Sequence, residues 1–274
     1  MKLLTSKSYA KINLCLHVIS KRNDGYHNIQ SIFRIINLYD ILTFEKNNLK
    51  EINLQTNSNE IIKEDNLITQ AYMLMLDKFH LKCGLNVTLE KNIPIGSGLG
   101  GGSSNAAVTL LAIKKLFELE ISDCEILSLA EALGSDVPFF INGGAAKVAG
   151  RGEVIEPITP GKKYFILIFS NIEIETRGIY ESLSENALCD ELHDSALLDS
   201  QENSLESVVM KKYPELMQTK YWLSSFGKVR MSGTGSTLYI EFDSYESAHE
   251  VNMEIAQKYK SKIVSSLDSY EIFS

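Results

Sequence analysis

The chain has 274 residues and a formal net charge of −8 at pH 7; 44% of its residues are hydrophobic and 23% are charged. This length allows one large or two modest domains with well-developed cores. The acidic balance argues against nucleic acid or an anionic membrane as the main partner. No apolar run reaches the ~18 residues of a membrane helix, and the four cysteines lack metal-binding spacing. We therefore expect a cytoplasmic protein with reduced thiols.

Residues 9–19 alternate between apolar and polar side chains, which predicts a half-buried strand. The polar side of this strand carries Lys11 and Asn13, and by itself such a side is typical of a solvent-exposed face. An Asp-Gly turn follows and brings an aromatic ring and an imidazole, Tyr26 and His27, side by side.

Residues 29–55 predict two or three strands, separated around residues 37–40 and by the polar turn at residues 47–48. A helix then opens within residues 64–67, and its apolar face extends to Phe79. A methionine-rich stripe at this spacing is typical of a packed core.

A glycine-rich stretch at residues 94–107 reads Pro-Ile-Gly-Ser-Gly-Leu-Gly-Gly-Gly-Ser-Ser-Asn-Ala-Ala. It lies between a predicted strand at residues 85–89 and an apolar helical run. Such a cluster of glycines predicts a backbone that approaches a ligand closely. A helix starting near Ser103 would add unpaired N–H groups and a positive dipole end, which favour an anion. The stretch therefore predicts a phosphate-binding loop.

Three other interpretations of this stretch fit less well. Residues 96–101 match the dinucleotide-binding pattern G-x-G-x-x-G, but residues 92–95 separate them from the strand, whereas the dinucleotide turn follows its strand tightly. A Walker loop ends in Gly-Lys-Ser/Thr, and no lysine follows Gly102. A flexible linker is not flanked this closely by a strand and an apolar helix.

Beyond this loop, Ser122 and Glu125 form a capping box for another amphipathic helix, which we expect to end at Gly134. Asp136 follows, directly before Val-Pro. The default interpretation of an aspartate in this position is a helix N-cap.

A cluster of prolines and glycine at residues 157–161 predicts a boundary, which divides the chain into domains of residues 1–156 and 157–274. Residues 164–169 predict a buried strand in the second domain. Residues 231–237 contain a second, smaller glycine loop, which by itself predicts a turn.

These motifs resemble, in the same order, those of the small-molecule kinase superfamily that includes galactokinase, homoserine kinase, mevalonate kinase and phosphomevalonate kinase. The Gly-Gly-Gly-Ser-Ser-Asn-Ala-Ala segment, and residues 10–14 with Asp-Gly-Tyr-His at 24–27, resemble one family within it, the 4-diphosphocytidyl-2-C-methyl-D-erythritol kinases. The resemblance extends over nearly the whole chain. It implies an α+β protein with a ribosomal-protein-S5-like N-terminal domain, a ferredoxin-like C-terminal domain and an active site in the cleft between them.

The activity implied by the resemblance is ATP-dependent phosphorylation of the C2 hydroxyl of 4-diphosphocytidyl-2-C-methyl-D-erythritol, in the non-mevalonate route to isoprenoid precursors. Lys11 and Asp136 would form the catalytic pair: the carboxylate accepts the hydroxyl proton, and the lysine holds the carboxylate and stabilises developing charge. Mg²⁺ would accompany ATP, with Ser103 or Ser104 helping to bind it.

The resemblance also implies two sets of binding residues. The ATP-binding residues are Asn66, Leu67, Pro94, Gly96, Gly98, Leu99, Gly100, Gly101, Gly102, Ser103, Ser104, Gly233 and Gly235. The substrate-binding residues are Asn13, Tyr26, His27, Thr176 and Tyr180. Tyr26 and Tyr180 would be the two walls of a cytosine pocket.

Two alternatives stay open on the sequence alone. Another kinase of the same superfamily is disfavoured by the Asp-Gly-Tyr-His segment. A non-catalytic nucleotide- or RNA-binding module on an S5-like domain is disfavoured by the net charge and by the presence of both Lys11 and Asp136. Nothing in the sequence indicates an oligomeric state.

Overall fold

The computed structural model describes residues 3–58, 66–170, 172–184, 188–269 and 272–273. The strands are β1 (Leu4–Lys21), β2 (His27–Asn47), β3 (Ile52–Thr56), β4 (Gly84–Glu90), β5 (Ala145–Gly150), β6 (Val154–Ile158), β7 (Tyr164–Ile168), β8 (Val229–Met231), β9 (Leu238–Phe242) and β10 (Ser261–Ser265). The helices are α1 (Leu67–Phe79), α2 (Gly101–Leu116), α3 (Asp123–Leu133), α4 (Val137–Asn142), α5 (Thr176–Glu181), α6 (Asp194–Asp199), α7 (Glu206–Lys212), α8 (Pro214–Leu223) and α9 (Tyr245–Ile255). Within these ranges no helix is both long and apolar enough to cross a membrane.

The first sheet is built around β2. This strand pairs antiparallel with β1 along one edge, and with β5 and then β4 along the other. β6 extends the sheet beyond β5, and β3 pairs parallel to β4. Of the two or three strands predicted over residues 29–55 the structure has two, β2 and β3, which are separated after Asn47; β2 continues through residues 37–40. A bulge between the pairs Tyr9–Tyr39 and Ala10–Ile36 accommodates the extra residues without ending the strand.

Helices α1 to α4 bury their apolar faces against this sheet and form the larger core. Asn66 caps α1 by accepting a hydrogen bond from the backbone N–H of Ile68 at 2.8 Å, while residues 64 and 65 of the predicted helix opening lie outside the described residues. The predicted core role of the α1 methionines is confirmed for Met75, which is fully buried, whereas Met73 is exposed. Ser122 caps α3 as predicted.

The second sheet has the strand order β10-β7-β9-β8, and all its pairings are antiparallel. With helices between β7 and β8 and between β9 and β10, this is the β-α-β-β-α-β arrangement of ferredoxin-like domains. The predicted fold of two α+β domains is therefore confirmed. The chain passes from one sheet to the other between Ile158 and Tyr164; the division at 156/157 stays a prediction.

The two sheets meet through a shared apolar cluster formed by residues of β1, β2, the glycine loop, β7, β9 and β10. Beside it, the guanidinium of the fully buried Arg34 donates to the carbonyls of Pro160 and Gly161 in the connecting segment and pairs with Asp268 near the C-terminus at 2.9 Å. From there the chain returns to the first sheet, where Phe273 forms a bridge with β1. The domains are thus joined twice, at the connecting segment and at the C-terminal segment.

Candidate active site

A cavity of about 1160 Å³ lies between the two domains, and the structure brings nearly all the predicted site residues to its walls. Those lining it are Lys11, Asn13, Tyr26, His27, Asn66, Leu67, Pro94, Gly96, Gly98, Leu99, Gly100, Gly101, Gly102, Ser103, Asp136, Thr176, Tyr180 and Gly233. Two predicted residues, Ser104 and Gly235, do not line it. Gly235 instead packs on Met231, whose sulfur would lie 2.9 Å from a Cβ at that position.

Three residues of the glycine loop have a backbone conformation that favours glycine. Gly96, Gly98 and Gly100 have φ angles of +61°, +73° and +70°, a region in which side chains with a Cβ are strained. Helix α2 begins at the next residue, Gly101, and its first N–H groups have no partner within the helix. These groups and the positive end of the helix dipole border the cavity, which makes this end of it suited to phosphate.

The second glycine loop packs directly on the first. The hydroxyl of Ser232 donates to the carbonyl of Gly98 at 3.0 Å, and the N–H of Thr237 donates to the carbonyl of Ser97 at 3.2 Å. A Cβ on Gly98 would lie only 2.1 Å from the carbonyl oxygen of Ser232, so only glycine fits this contact. Gly233 lies in the cavity wall next to the first loop. The C-terminal domain therefore completes the phosphate end of the cavity.

The two serines that follow the glycines have different environments. Ser103 is half-buried and lines the cavity. Ser104 is 1% exposed, and its hydroxyl accepts a hydrogen bond from Ser8 at 2.7 Å. Of the two predicted metal-binding hydroxyls, the structure places only that of Ser103 in the cavity.

Lys11 and Asp136 form an ion pair in the middle of the cavity, with 3.3 Å between Nζ and Oδ2. The lysine side chain is 4% exposed, and its ammonium also lies 4.4 Å from the centre of the Phe33 ring. A solvent-exposed Lys11 is therefore the wrong interpretation of the strand pattern. Asp136 occupies the N-cap position of α4, but its carboxylate makes no capping hydrogen bond, because it faces Lys11 instead. The carboxylate is 30% exposed, so a ligand in the cavity can reach it.

Asn13 orients the lysine and links the two domains. Its amide oxygen accepts from the Lys11 ammonium at 2.6 Å, and its amide nitrogen donates to Ser31 at 3.0 Å. Its backbone N–H donates to the hydroxyl of Ser232, and its carbonyl accepts from the hydroxyl of Tyr239. The amide of this predicted substrate-binding residue is thus already engaged with the ammonium of Lys11.

At the far end of the cavity, two of the predicted rings are neighbours. The rings of His27 and Tyr180 have centroids 5.3 Å apart and planes inclined by 35°. Tyr26 is 52% exposed, and its ring faces the guanidinium of Arg151 at 5.0 Å. Thr176 lies closer to the phosphate end, because its hydroxyl is 3.1 Å from that of Thr234 in the second glycine loop. This end offers aromatic surfaces and cations rather than a phosphate loop.

The surroundings of His27 and Tyr180 favour the neutral form of each ring. Burial, and the positive charge of Lys21, lower the pKa of His27 below its ordinary 6.5. Burial raises the pKa of the Tyr180 phenol, and the negative charge of Asp136 raises it further. A neutral imidazole has one donor and one acceptor nitrogen, which is the combination needed to read the edge of a base.

Several residues that were not predicted as site residues also line the cavity, among them Lys91, Asn105 and Arg151. Lys91 is buried, pairs with the fully buried Asp40 at 2.5 Å, and has its pKa lowered by burial against the opposing effect of that carboxylate. The amide oxygen of Asn105 is buried without a hydrogen-bond partner among the described residues. Asn105 and Arg151 had local signals, the glycine-rich stretch and the Gly-Arg-Gly turn, whereas Lys91 follows a strand without any distinguishing pattern.

The arrangement joins a phosphate loop at a helix N-terminus, a lysine–carboxylate pair and a ring-lined pocket, which together suit phosphoryl transfer between two bound small molecules. Two family descriptions match the chain: the GHMP kinases N terminal domain over residues 66–144 and the GHMP kinases C terminal domain over residues 183–261. The fold and the site therefore define a small-molecule kinase of the GHMP class.

Similar proteins show to which family within this class the chain belongs. The 4-diphosphocytidyl-2-C-methyl-D-erythritol kinase of Colwellia psychrerythraea is 33% identical over 279 aligned positions, covering 100% of this chain and 93% of the relative. The enzyme of the same name from Francisella tularensis subsp. holarctica is 40% identical and covers 85% of each chain. A crystal structure of 4-(cytidine 5'-diphospho)-2C-methyl-D-erythritol kinase superposes with a TM-score of 0.82 at 29% identity, covering 96% of this chain and 99% of that one. This chain belongs to the 4-diphosphocytidyl-2-C-methyl-D-erythritol kinase family.

Proposed function

We propose that this kinase transfers the γ-phosphoryl group of ATP to the C2 hydroxyl of 4-diphosphocytidyl-2-C-methyl-D-erythritol. The observation that carries the proposal is the Lys11–Asp136 ion pair, which lies in one cavity with the glycine loop and with the His27–Tyr180 ring pair. A phosphate loop on one side and an aromatic pocket on the other are what a nucleoside triphosphate donor and a cytidine-containing acceptor require.

In the proposed reaction, Asp136 accepts the proton of the attacking hydroxyl as the bond from that oxygen to the γ-phosphorus forms. The bond from the γ-phosphorus to the bridging oxygen breaks, and ADP leaves with the electron pair. Lys11, fixed by Asn13 and by the carboxylate, stabilises the negative charge on the transferred group. The N–H groups at the start of α2 hold the phosphates of the donor.

The donor set also fits Mg²⁺, though not as a site made of protein ligands alone. No group of three or more His, Cys, Asp or Glu side chains suited to a metal occurs in the described part of the chain. Mg²⁺ is commonly bound by one or two protein oxygens together with substrate phosphates and water. The hydroxyl of Ser103 would supply such an oxygen. When bound, the ion neutralises charge on the phosphate oxygens.

For the acceptor, we propose that the cytosine ring lies against Tyr180 and Tyr26, with His27 bonding to its edge. Stacking on aromatic rings contributes ~1–3 kcal/mol per base. Asn13 and Thr176 would contact the rest of the acceptor. We further propose a cytoplasmic enzyme without a nucleic-acid or membrane partner, on the basis of the acidic net charge and of four cysteines that form no disulfide among the described residues.

The direct test is release of ADP by the purified protein with a panel of alcohols: the cytidylyl compound, mevalonate, homoserine and galactose. We expect turnover with the cytidylyl compound alone, and we expect free CDP to compete with this compound and not with ATP. Turnover of another alcohol instead would assign a different kinase activity. An absence of turnover with every alcohol, combined with intact ATP binding, would favour a nucleotide-binding module.

A further inference from the structure

A segment that does not line the cavity contacts the second glycine loop from outside. This segment, residues 188–205, is called the strap here. It runs along the edge of β1 that is not paired with β2. The carbonyl of Glu202 accepts from the N–H of Leu16, and the N–H of Ser204 donates to the carbonyl of Leu16, both at 2.8 Å. The strap is thus fixed to the strand that carries Lys11.

Between these two bonds lies Asn203, whose side chain leaves the strap and reaches the second glycine loop. Its amide nitrogen donates to the carbonyl of Gly233 at 2.8 Å and to the carbonyl of Met231 at 3.0 Å. Its amide oxygen accepts from the N–H of Leu205 at 3.0 Å. The side-chain amide therefore donates two hydrogen bonds to backbone carbonyls and accepts one from a backbone N–H. Only a primary amide on a side chain as short as that of asparagine satisfies this pattern here.

We propose that Asn203 is a positioning residue for ATP binding: it sets the position of Gly233 over the glycine loop. The inference rests on the proposed function only in taking the nucleotide phosphates to bind between the two loops. Asn203 holds the loop on one side, and Ser232 holds it on the other through its bond to Gly98. Because Gly233 lines the cavity and has a φ of +56°, a shift of its carbonyl moves the adjoining N–H groups as well.

The substitution Asn203→Asp tests this role with almost no change in size. It replaces the donating nitrogen by a second acceptor that faces two carbonyl oxygens, while the acceptor for Leu205 remains. The chain offers a matched control in Gln30, which also holds the strap: its amide donates to the carbonyl of Leu192 at 3.3 Å and accepts from the N–H of Leu192 at 2.8 Å. Gln30→Glu makes the same chemical change in the same strap without touching the second glycine loop.

For each variant, calorimetry measures the affinity for a non-hydrolysable ATP analogue, and steady-state kinetics give KM for ATP and for the alcohol. A thermal melt checks that the variant is folded. We expect Asn203→Asp to weaken analogue binding about tenfold or more, through two lost hydrogen bonds. The KM for the alcohol should stay within about twofold in the same variant, and Gln30→Glu should leave analogue binding unchanged. Equal effects of the two variants on binding would mean that Asn203 only stabilises the strap, and unchanged binding in folded Asn203→Asp would also overturn the proposal.

If Asn203→Asp does not fold, Asn203→Ala provides the second variant, because it removes both donors without adding a charge. The same loss of analogue binding is expected, and its absence refutes the role. Since binding of the analogue does not depend on which alcohol is phosphorylated, a failed alcohol panel with a positive binding result would reject the proposed substrate and leave this inference standing.

Discussion

Gly102 is the position at which the phosphate-binding role of the glycine loop can be separated from its structural role. A Cβ on the preceding Gly101 would lie 2.9 Å from the Lys91 ammonium and 3.0 Å from Ile93, so a substitution there disturbs the protein as well as any ligand. A Cβ on Gly102 meets only one atom within 4 Å, a methyl group of Leu67 at an ordinary 3.7 Å. Gly102 lines the cavity and belongs to the first turn of α2.

The two effects of Gly102→Ala have opposite signs. Alanine is favoured over glycine in a helix by up to ~1 kcal/mol, so the free energy of unfolding should be unchanged or slightly raised. In the cavity the same methyl group occupies space that a phosphate would approach. Loss of one charge-assisted hydrogen bond, ~1.5–3 kcal/mol, corresponds to a Kd for ATP that is about 10- to 150-fold higher.

The assay combines a denaturant melt with calorimetric titration of a non-hydrolysable ATP analogue. Gly178→Ala in α5 is the matched control, since a Cβ there has no neighbour closer than 3.7 Å and the position lies outside the cavity lining. We expect the control to preserve both stability and affinity. If Gly102→Ala binds the analogue as tightly as the parent chain, phosphate does not approach this turn of the helix and the anion-site reasoning is wrong.

Three further predictions concern the proposed catalytic pair, the proposed base pocket and a buried histidine. Asp136→Asn should lower kcat by ~10²–10⁴-fold while nucleotide affinity changes little. In the double variant with Lys11→Ala, the loss of kcat should be far smaller than the product of the two single losses, because the two side chains act together; a loss equal to that product would contradict the joint role. Tyr180→Ala should raise KM for the cytidylyl substrate by about 5- to 150-fold, the equivalent of ~1–3 kcal/mol of stacking. KM for ATP is the internal control and should stay unchanged; an equal rise in both would contradict the pocket. His17 is buried against the hydroxyl of Ser200, and burial lowers its pKa below 6.5. The unfolded chain therefore binds the proton first, so stability should fall as the pH drops below about 6.5, and chemical denaturation at pH 7.5 and 5.5 should show a smaller fall in His17→Gln; an identical fall would exclude this histidine as a source.

The sequence predicted best those features that depend on local backbone chemistry. The helix after the glycine loop and the serine cap of α3 each follow from a few neighbouring residues, and the structure has both, although α2 begins at Gly101, two residues before Ser103. It predicted least well where distant segments decide the outcome. Residues 37–40 look like a turn but form a bulge, because the long β1 pairs on both sides of them. Lys91 is held in the cavity wall by its ion pair with Asp40, which is distant in sequence. Asn203 reaches the second glycine loop from the strap, and no periodicity in the sequence indicates the path of that segment.

The buried Arg34 has a consequence for how the cleft admits its ligands. Its guanidinium binds the carbonyls of Pro160 and Gly161 in the connecting segment and the carboxylate of Asp268, so the connecting segment and the C-terminal segment are attached to one buried side chain of β2. Two domains joined by a single strand of chain can rotate about it as a hinge. Here the two passages at Arg34 and the strap at Leu16 attach the domains at separate points, which opposes rotation about any one of them. We therefore expect ligand entry to depend on movements of the loops around the cavity mouth, with the distance between the two sheets nearly constant through the catalytic cycle.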